Sequence, residues 1–371
     1  MDFSITEEQS MVKDLARQIL RGLISDESRF EVEASEDGLH RAAWSALAEA
    51  GLLGVALPEA HGGMELGLLP LLTLLREVGR AAAPIPALPC LVAALAVSEL
   101  GDESQQAALL DGLADGSRFL TLALSEPDSR SLRRPTTRAS RVGGQWRLTG
   151  VKTAVPAAGL AHAALAPAMT ADGPALFVVD LDAVTLEQQA GTDFAPLGLL
   201  TLDGAPATRL GPDDGPADGT AALDWLEARV RVGQCAVMLG MAEAALRLSA
   251  KYATTREQFG QPIGAFQAVS QRAGDAYIDV ETMRVSYLQA AWRLSEGLPS
   301  ARAIAIARYF ASEGSHKVQA AAMHLHGGMG FDRDYVLHRY FLGAKALEFQ
   351  LGSAASLLSE VGEGLKKAAA S

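Results

Sequence analysis

The apolar positions along this chain change period twice. Up to about residue 117 they recur at helical spacing. Val12, Leu15, Ile19 and Leu20 keep near-helical intervals, and 42–51 and 71–78 repeat the pattern between Gly and Pro breaks. Ahead of the first stretch, Thr6-Glu-Glu-Gln9 reads as a capping box, in which hydroxyl and carboxamide each satisfy the other residue's free backbone N–H. From Phe119-Leu-Thr-Leu-Ala-Leu124 to about Leu210, short apolar runs alternate with turn formers. Gly143-Gly144, between 137–142 and 145–149, predicts a two-residue hairpin, and Ala175-Leu-Phe-Val-Val179 predicts another strand. The Gly-, Pro- and Asp-dense stretch 211–219 reads as a linker. Beyond it, helical periods over 228–256, 267–296, 300–326 and 336–362 predict four helices in an antiparallel bundle. The expectation is an α+β chain, mainly α: a helical domain over 1–117, a β-domain over 118–220 and a four-helix bundle over 221–371.

A chain of 371 residues is long enough for two or three packed units, and with 49% apolar residues it is not a disordered one. Its formal charge of −12, with no Lys/Arg-dense stretch, argues against nucleic acid or an anionic membrane as partner. The N-terminus has no basic region or apolar core. The longest apolar run, 81–97, is broken by Pro84, Pro86 and Pro89 and is shorter than the roughly 20 residues of a bilayer span, so a cytoplasmic protein is expected. Cys90 and Cys235 stand alone and are expected to be buried free thiols. His324, His326 and His338 lack accompanying carboxylates, so no metal is expected; Asp332, Arg333 and Asp334 read as a solvated turn and helix cap.

Three segments carry the chemistry: Tyr252-Ala-Thr-Thr-Arg-Glu-Gln-Phe-Gly260, His324-Leu-His-Gly-Gly-Met-Gly330, and Gly352-Ser353. An arginine offers a fixed fork for phosphate, and glycines let backbone amides approach a ligand closely. With these segments and its order of domains, the chain resembles the acyl-CoA dehydrogenase family from Met1 to about Gly362. The resemblance implies FAD-dependent α,β-dehydrogenation of an acyl-CoA thioester by a tetramer, with an electron-transferring flavoprotein as acceptor. It also implies that the FAD tail reaches a neighbouring subunit's Arg-x-x-Phe-Gly and glycine-rich segments. Arg256, Gln258 and Phe259 match the first, with Gln267 just beyond; His324 stands where the family usually has glutamine, followed by Gly327 and Gly328. Ser125-Glu-Pro127 matches the family's Thr-Glu-Pro, which contacts the flavin's pyrimidine edge.

The chain departs from the family where the reaction occurs. Leu351 occupies the position of the proton-abstracting glutamate, and Val230 and Arg231 occupy the family's second base position. Leu351 still has an amide to offer the thioester oxygen, but no carboxylate. Arg130 replaces an expected glycine beside the ring. Ala154-Val-Pro156 replaces the ring-covering Trp-Ile-Thr/Ser, and proline also lacks an N–H. Residues for a neighbour's flavin persist while those for the chain's own ring are degraded. This resembles the subunit lacking the glutamate in heterotetrameric, steroid-type bacterial acyl-CoA dehydrogenases. Two alternatives stay open. One is a homotetramer whose base has moved to Glu348 or Glu227, each about one helical turn, roughly 5 Å, before a base position. The other is a flavin-free scaffold of the same fold.

Overall fold

The computed structural model describes residues 4–129, 131–212 and 219–370, with side chains through Lys366. Arg130 and the middle of the expected linker therefore lie outside the described residues. The chain opens with α1 (Glu7–Leu23), α2 (Asp26–Glu33), α3 (Arg41–Glu49), α4 (Leu68–Ala81), α5 (Ala87–Leu100) and α6 (Glu103–Leu109). The capping box forms as expected: Gln9 N–H donates to Thr6 Oγ1 at 3.2 Å and Thr6 N–H to Gln9 Oε1 at 2.9 Å. Helix α5 is apolar on all sides and correspondingly buried from Cys90 to Val97.

Seven strands follow: β1 (Leu120–Leu122), β2 (Arg138–Val142), β3 (Gln145–Pro156), β4 (Ala163–Met169), β5 (Pro174–Asp180), β6 (Thr185–Ala190) and β7 (Pro196–Arg209). Their order is β1-β4-β2-β3-β7-β5, with β5 pairing back to β4 so that the path closes, and β6 attached to β7 alone. Strand β4 runs parallel to β1 and β2; the other pairs are antiparallel. Leu148, Val155, Phe177, Leu200 and Leu202 fill the sheet's core. Gly143 and Gly144 close the expected β2–β3 hairpin with φ of 60° and 84°, as a turn with two left-handed residues requires.

Helix α7 (Thr220–Thr255) leads to a small hairpin, β8 (Glu257–Gln258) and β9 (Gln261–Pro262), then α8 (Gln267–Ser295), α9 (Ala301–His326), α10 (Leu337–Glu348) and α11 (Ala354–Ala370). The predicted fourth helix over 336–362 is thus two helices. The chain takes left-handed backbone at Leu351 (φ 52°) and reaches φ 117° at Gly352, which no continuous helix allows. The expected cap by the Asp332–Asp334 cluster also differs. Asp334 N–H donates to Asp332 Oδ1 at 3.1 Å, so the cluster forms a turn, while α10 starts after Val336 without a side-chain cap.

The residues gather into two compact units: one up to Phe30, over Leu72–Ala83 and from Arg231 onward, the other over Glu31–Leu71 and Pro84–Val230. In the first, α4 and α7 touch at reciprocal glycines. A Cβ on Gly79 would lie 2.1 Å from Val237 O, and one on Gly240 would lie 2.0 Å from Arg76 O. Glu243 beside this crossing accepts from Arg76, Arg80 and Arg284, and Glu77 takes both arms of Arg17 at 2.9 Å. Among the described residues, no helix is long and apolar enough to cross a membrane.

Candidate functional site

In the first unit, the last turns of α7 and α9 are joined by a ring stack. Tyr252 lies on His326 with centroids 4.4 Å apart. The His326 ring nitrogens meet Ala322 O at 2.8 Å and Tyr335 Oη at 3.1 Å, and burial lowers its pKa, so this histidine is committed to packing. Because these two helix ends are tied together, the segments that follow them emerge from one end of the bundle. Past Tyr252, Ile263 N–H donates to Arg256 O at 2.8 Å and closes the β8–β9 hairpin, with Phe259 (φ 54°) and Gly260 (φ 78°) at its tip. Phe259 is 92% exposed. Past His326, Gly327 (φ 58°) and Gly328 have open space where a Cβ would stand. Arg256, Gln258, Gln267, His324, Gly327 and Gly328 are exposed as well. The Arg256 guanidinium has no partner among the described residues, and Gln258 Nε2 donates only to the adjacent Glu257 O, at 2.8 Å.

Eighteen residues before Tyr252 and His326 on the same two helices stand Gln234 and Arg308, about 27 Å away at the helical rise. Arg308 is 0% exposed. Its Nε donates to Gln234 Oε1 at 3.0 Å, Nη1 to Ser312 Oγ, and Nη2 to Leu347 O and to Gln350 O at 3.1 Å. Gln234 Nε2 in turn donates to Gln350 Oε1 at 3.2 Å. Among the described residues this guanidinium contacts no carboxylate; burial lowers its pKa, and its partners are neutral groups, several of them at the turn carrying Leu351. The two fallback carboxylates lie nearby in sequence. Glu348 accepts from Lys345 Nζ at 2.6 Å, and Glu227 is half-buried in α7. Val230 is buried, and Arg231 forms a two-armed ion pair with Glu360 of α11, at 2.8 and 3.0 Å.

The second unit holds Ser125 and the 153–156 stretch. In the β3–β7 ladder Lys152 pairs with Leu200 and Val155 with Gly198, so Thr153 and Ala154 together face Leu199 and form a bulge. Ala154 takes φ of 50° there. Ser125 O accepts the Thr153 N–H at 3.0 Å. Gln189 Oε1 accepts the Ala154 N–H at 2.8 Å and the Thr153 hydroxyl at 3.2 Å. Pro156 has no N–H, and its carbonyl accepts from Thr121 Oγ1 at 2.5 Å. Beneath the bulge, fully buried Lys152 donates to Glu126 Oε1 and Pro167 O, each at 2.6 Å. Glu126 also receives the N–H groups of Thr136 and Thr137 and the Thr136 hydroxyl. Burial raises its pKa, but the Lys152 ammonium and these donors outweigh that and hold it down at about 2.

The two donor sets differ in their fitness for FAD. The Arg256 end offers an uncommitted guanidinium and uncovered glycine amides, which suit a pyrophosphate. The β3 bulge does not suit a flavin ring: the Thr153 and Ala154 donors are consumed internally and Pro156 has none. Sequence reasoning missed Arg308, Gln189 and the Glu126–Lys152 pair. The visible signals were a lone arginine in Ala-Ile-Ala-Ile-Ala-Arg308 and a lysine inside a strand.

Helices before and after a closed sheet, with a glycine-rich turn at a bundle end, define the acyl-CoA dehydrogenase class of flavoenzyme fold. Comparison with known proteins agrees. The profile for the acyl-CoA dehydrogenase N-terminal domain matches residues 6–117, and that for the C-terminal domain matches 218–366. The acyl-CoA dehydrogenase FadE27 of Mycobacterium tuberculosis (strain ATCC 25618 / H37Rv) is 36% identical over 379 residues, covering 98% of this chain and 99% of its own. The chain belongs to the acyl-CoA dehydrogenase family. Among solved structures, a variant of the Tcur3481-Tcur3483 steroid acyl-CoA dehydrogenase is 42% identical with a TM-score of 0.93, over 99% of this chain and 100% of that one. The ChsE4-ChsE5 complex from Mycobacterium tuberculosis is 36% identical with a TM-score of 0.92, over 99% of both chains.

Proposed function

We propose that this chain is a subunit of an FAD-dependent acyl-CoA dehydrogenase that lacks a catalytic base and completes the flavin site of a partner subunit bearing the glutamate. The observation that carries this reading is the separation within the bundle. The exposed, uncommitted Arg256, Phe259 and Gly327 stand at one end, and the Leu351 turn, with no carboxylate, stands about 27 Å away along the helices. One flavin ring at Leu351 has little use for donors at the far end, whereas a partner's FAD tail does. Arg256 would bind the pyrophosphate by charge and by its planar fork, and the Gly327 and Gly328 amides would line it. Gln258, Phe259, Gln267 and His324 would flank it, and Ser125 would keep only its exposed hydroxyl for a ligand.

Two similar structures, one a steroid acyl-CoA dehydrogenase and the other a complex of two different chains, support a heteromer acting on a steroid acyl-CoA. An electron-transferring flavoprotein would take the electrons. The relocated-base alternative fares less well, because Glu348 is already held by Lys345 and a base must be free to reach the α-proton within hydrogen-bond distance.

The test is co-expression with a family member that bears the glutamate, reading FAD from the absorbance spectrum. One FAD per pair of unlike chains is expected, together with an isolated chain whose acyl-CoA oxidation is lower by about 10²- to 10⁴-fold, the usual effect of losing a positioned base. A homotetramer of this protein alone with one FAD per chain, bleached by acyl-CoA, would sink the reading. Glu348→Gln and Glu227→Gln would then identify the base.

A further inference from the structure

Strand β6 is an edge of the sheet, joined only to β7, and Gln189 stands on it opposite Leu197. Strand β7 separates it from β3, yet its side chain reaches the β3 bulge. A bulged residue falls out of the ladder, so its N–H needs an acceptor from elsewhere. Gln189 Oε1 supplies it to Ala154 at 2.8 Å and also takes the Thr153 hydroxyl at 3.2 Å, while its Nε2 has no partner among the described residues. The neighbouring edge residues Glu187 and Gln188 are exposed, whereas Gln189 is half-buried over the bulge. With Thr153 N–H given to Ser125 O and no N–H on Pro156, the outward donors of this strand segment are spent.

We propose that Gln189 is a built-in occupant of this strand edge that denies the chain a flavin ring of its own, so that it contacts FAD only through a partner's site. The inference deepens the partner-subunit reading and rests on it. An apolar residue at 189 frees the Ala154 N–H and the Thr153 hydroxyl for a ligand, whereas a glutamate keeps an acceptor oxygen in place.

FAD is titrated into the isolated full chain and followed by quenching of flavin fluorescence, with thermal unfolding recorded for every variant. Wild type and Gln189→Glu are expected to bind weakly. Gln189→Ala and Gln189→Leu are expected to bind about ten-fold more tightly, the equivalent of one released hydrogen bond. A folded Gln189→Ala or Gln189→Leu that binds no better than wild type overturns the proposal. Should both variants unfold, hydrogen exchange at Ala154 in the wild-type assembly decides: unchanged protection on adding FAD supports the proposal, and altered protection overturns it. Micromolar FAD binding by the wild-type chain alone also overturns it. The partner-subunit reading survives that result if acyl-CoA fails to bleach the flavin, and falls with it if bleaching occurs.

Discussion

The Arg308 guanidinium donates to the Gln350 carbonyl at 3.1 Å, and through that contact α9 sets the turn that carries Leu351. A leucine in the left-handed region costs about 1–3 kcal/mol and persists only where its surroundings dictate it. The first prediction follows. Arg308→Ala removes the donor shared by Gln234, Leu347 and Gln350 and opens a cavity. It should lower stability by about 2–5 kcal/mol, read as a urea midpoint shift at constant slope. Arg308→Lys keeps the charge without the fork and should recover only part of the loss. An unmoved midpoint in Arg308→Ala would contradict the role.

Glu126 and Lys152 give a prediction with a definite sign. The folded pKa of Glu126 lies below its unfolded value, so the stabilisation is complete above about 4.3 and is lost as the pH falls from there towards 2. Unfolding free energy should decline through that window in wild type and decline less in Glu126→Gln. Lys152→Met at neutral pH strands a buried carboxylate and should cost about 3–5 kcal/mol. Denaturant titrations at pH 2.5, 4 and 7 check both, and equal slopes for wild type and Glu126→Gln would refute the assignment.

Arg256 should matter only in an assembly. A charged hydrogen bond to pyrophosphate is worth about 1.5–3 kcal/mol, so Arg256→Ala should weaken FAD retention roughly 10- to 150-fold in the complex with a glutamate-bearing partner. The stability of the isolated chain should not change, because the exposed guanidinium has no partner among the described residues. Equilibrium dialysis of the complex and thermal melts of the chain separate these outcomes.

Both thiols should be silent. Burial pushes Cys90 and Cys235 up to about 12, leaving almost no thiolate at pH 8. A thiol-reactive chromophore is expected to label none in the native chain and two after unfolding. Rapid native labelling would mean that one of the helices holding them opens.

Much of this architecture can be read locally. The capping box at Thr6, the Gly143-Gly144 turn and three of the long bundle helices depend on neighbours in sequence, and they appear as expected, except that α7 starts at Thr220 instead of 228. Strands β4, β6 and β7 were not separately legible. Their identity is decided by partners far along the chain, such as Ala163 against Asp180. The break at Leu351 was hidden for a related reason, since a residue bearing a Cβ is held left-handed by an arginine 43 positions earlier. The absence of carboxylates at Leu351, Val230 and Arg231 was plain from the residues alone. The contacts that set Arg231 against Glu360, and separately Ala154 against Gln189, are tertiary and carry no local signature.

The Arg231–Glu360 pair also bears on how such a chain changes over time. Placing a glutamate at 231 would set it against Glu360, two like charges where an arginine and a carboxylate now pair at 2.8 Å. That repulsion raises the cost of a carboxylate at 231 unless Glu360 changes as well. If the chain does work as a partner subunit, a contact that has nothing to do with catalysis would thus act as a ratchet against regaining a base at residue 231.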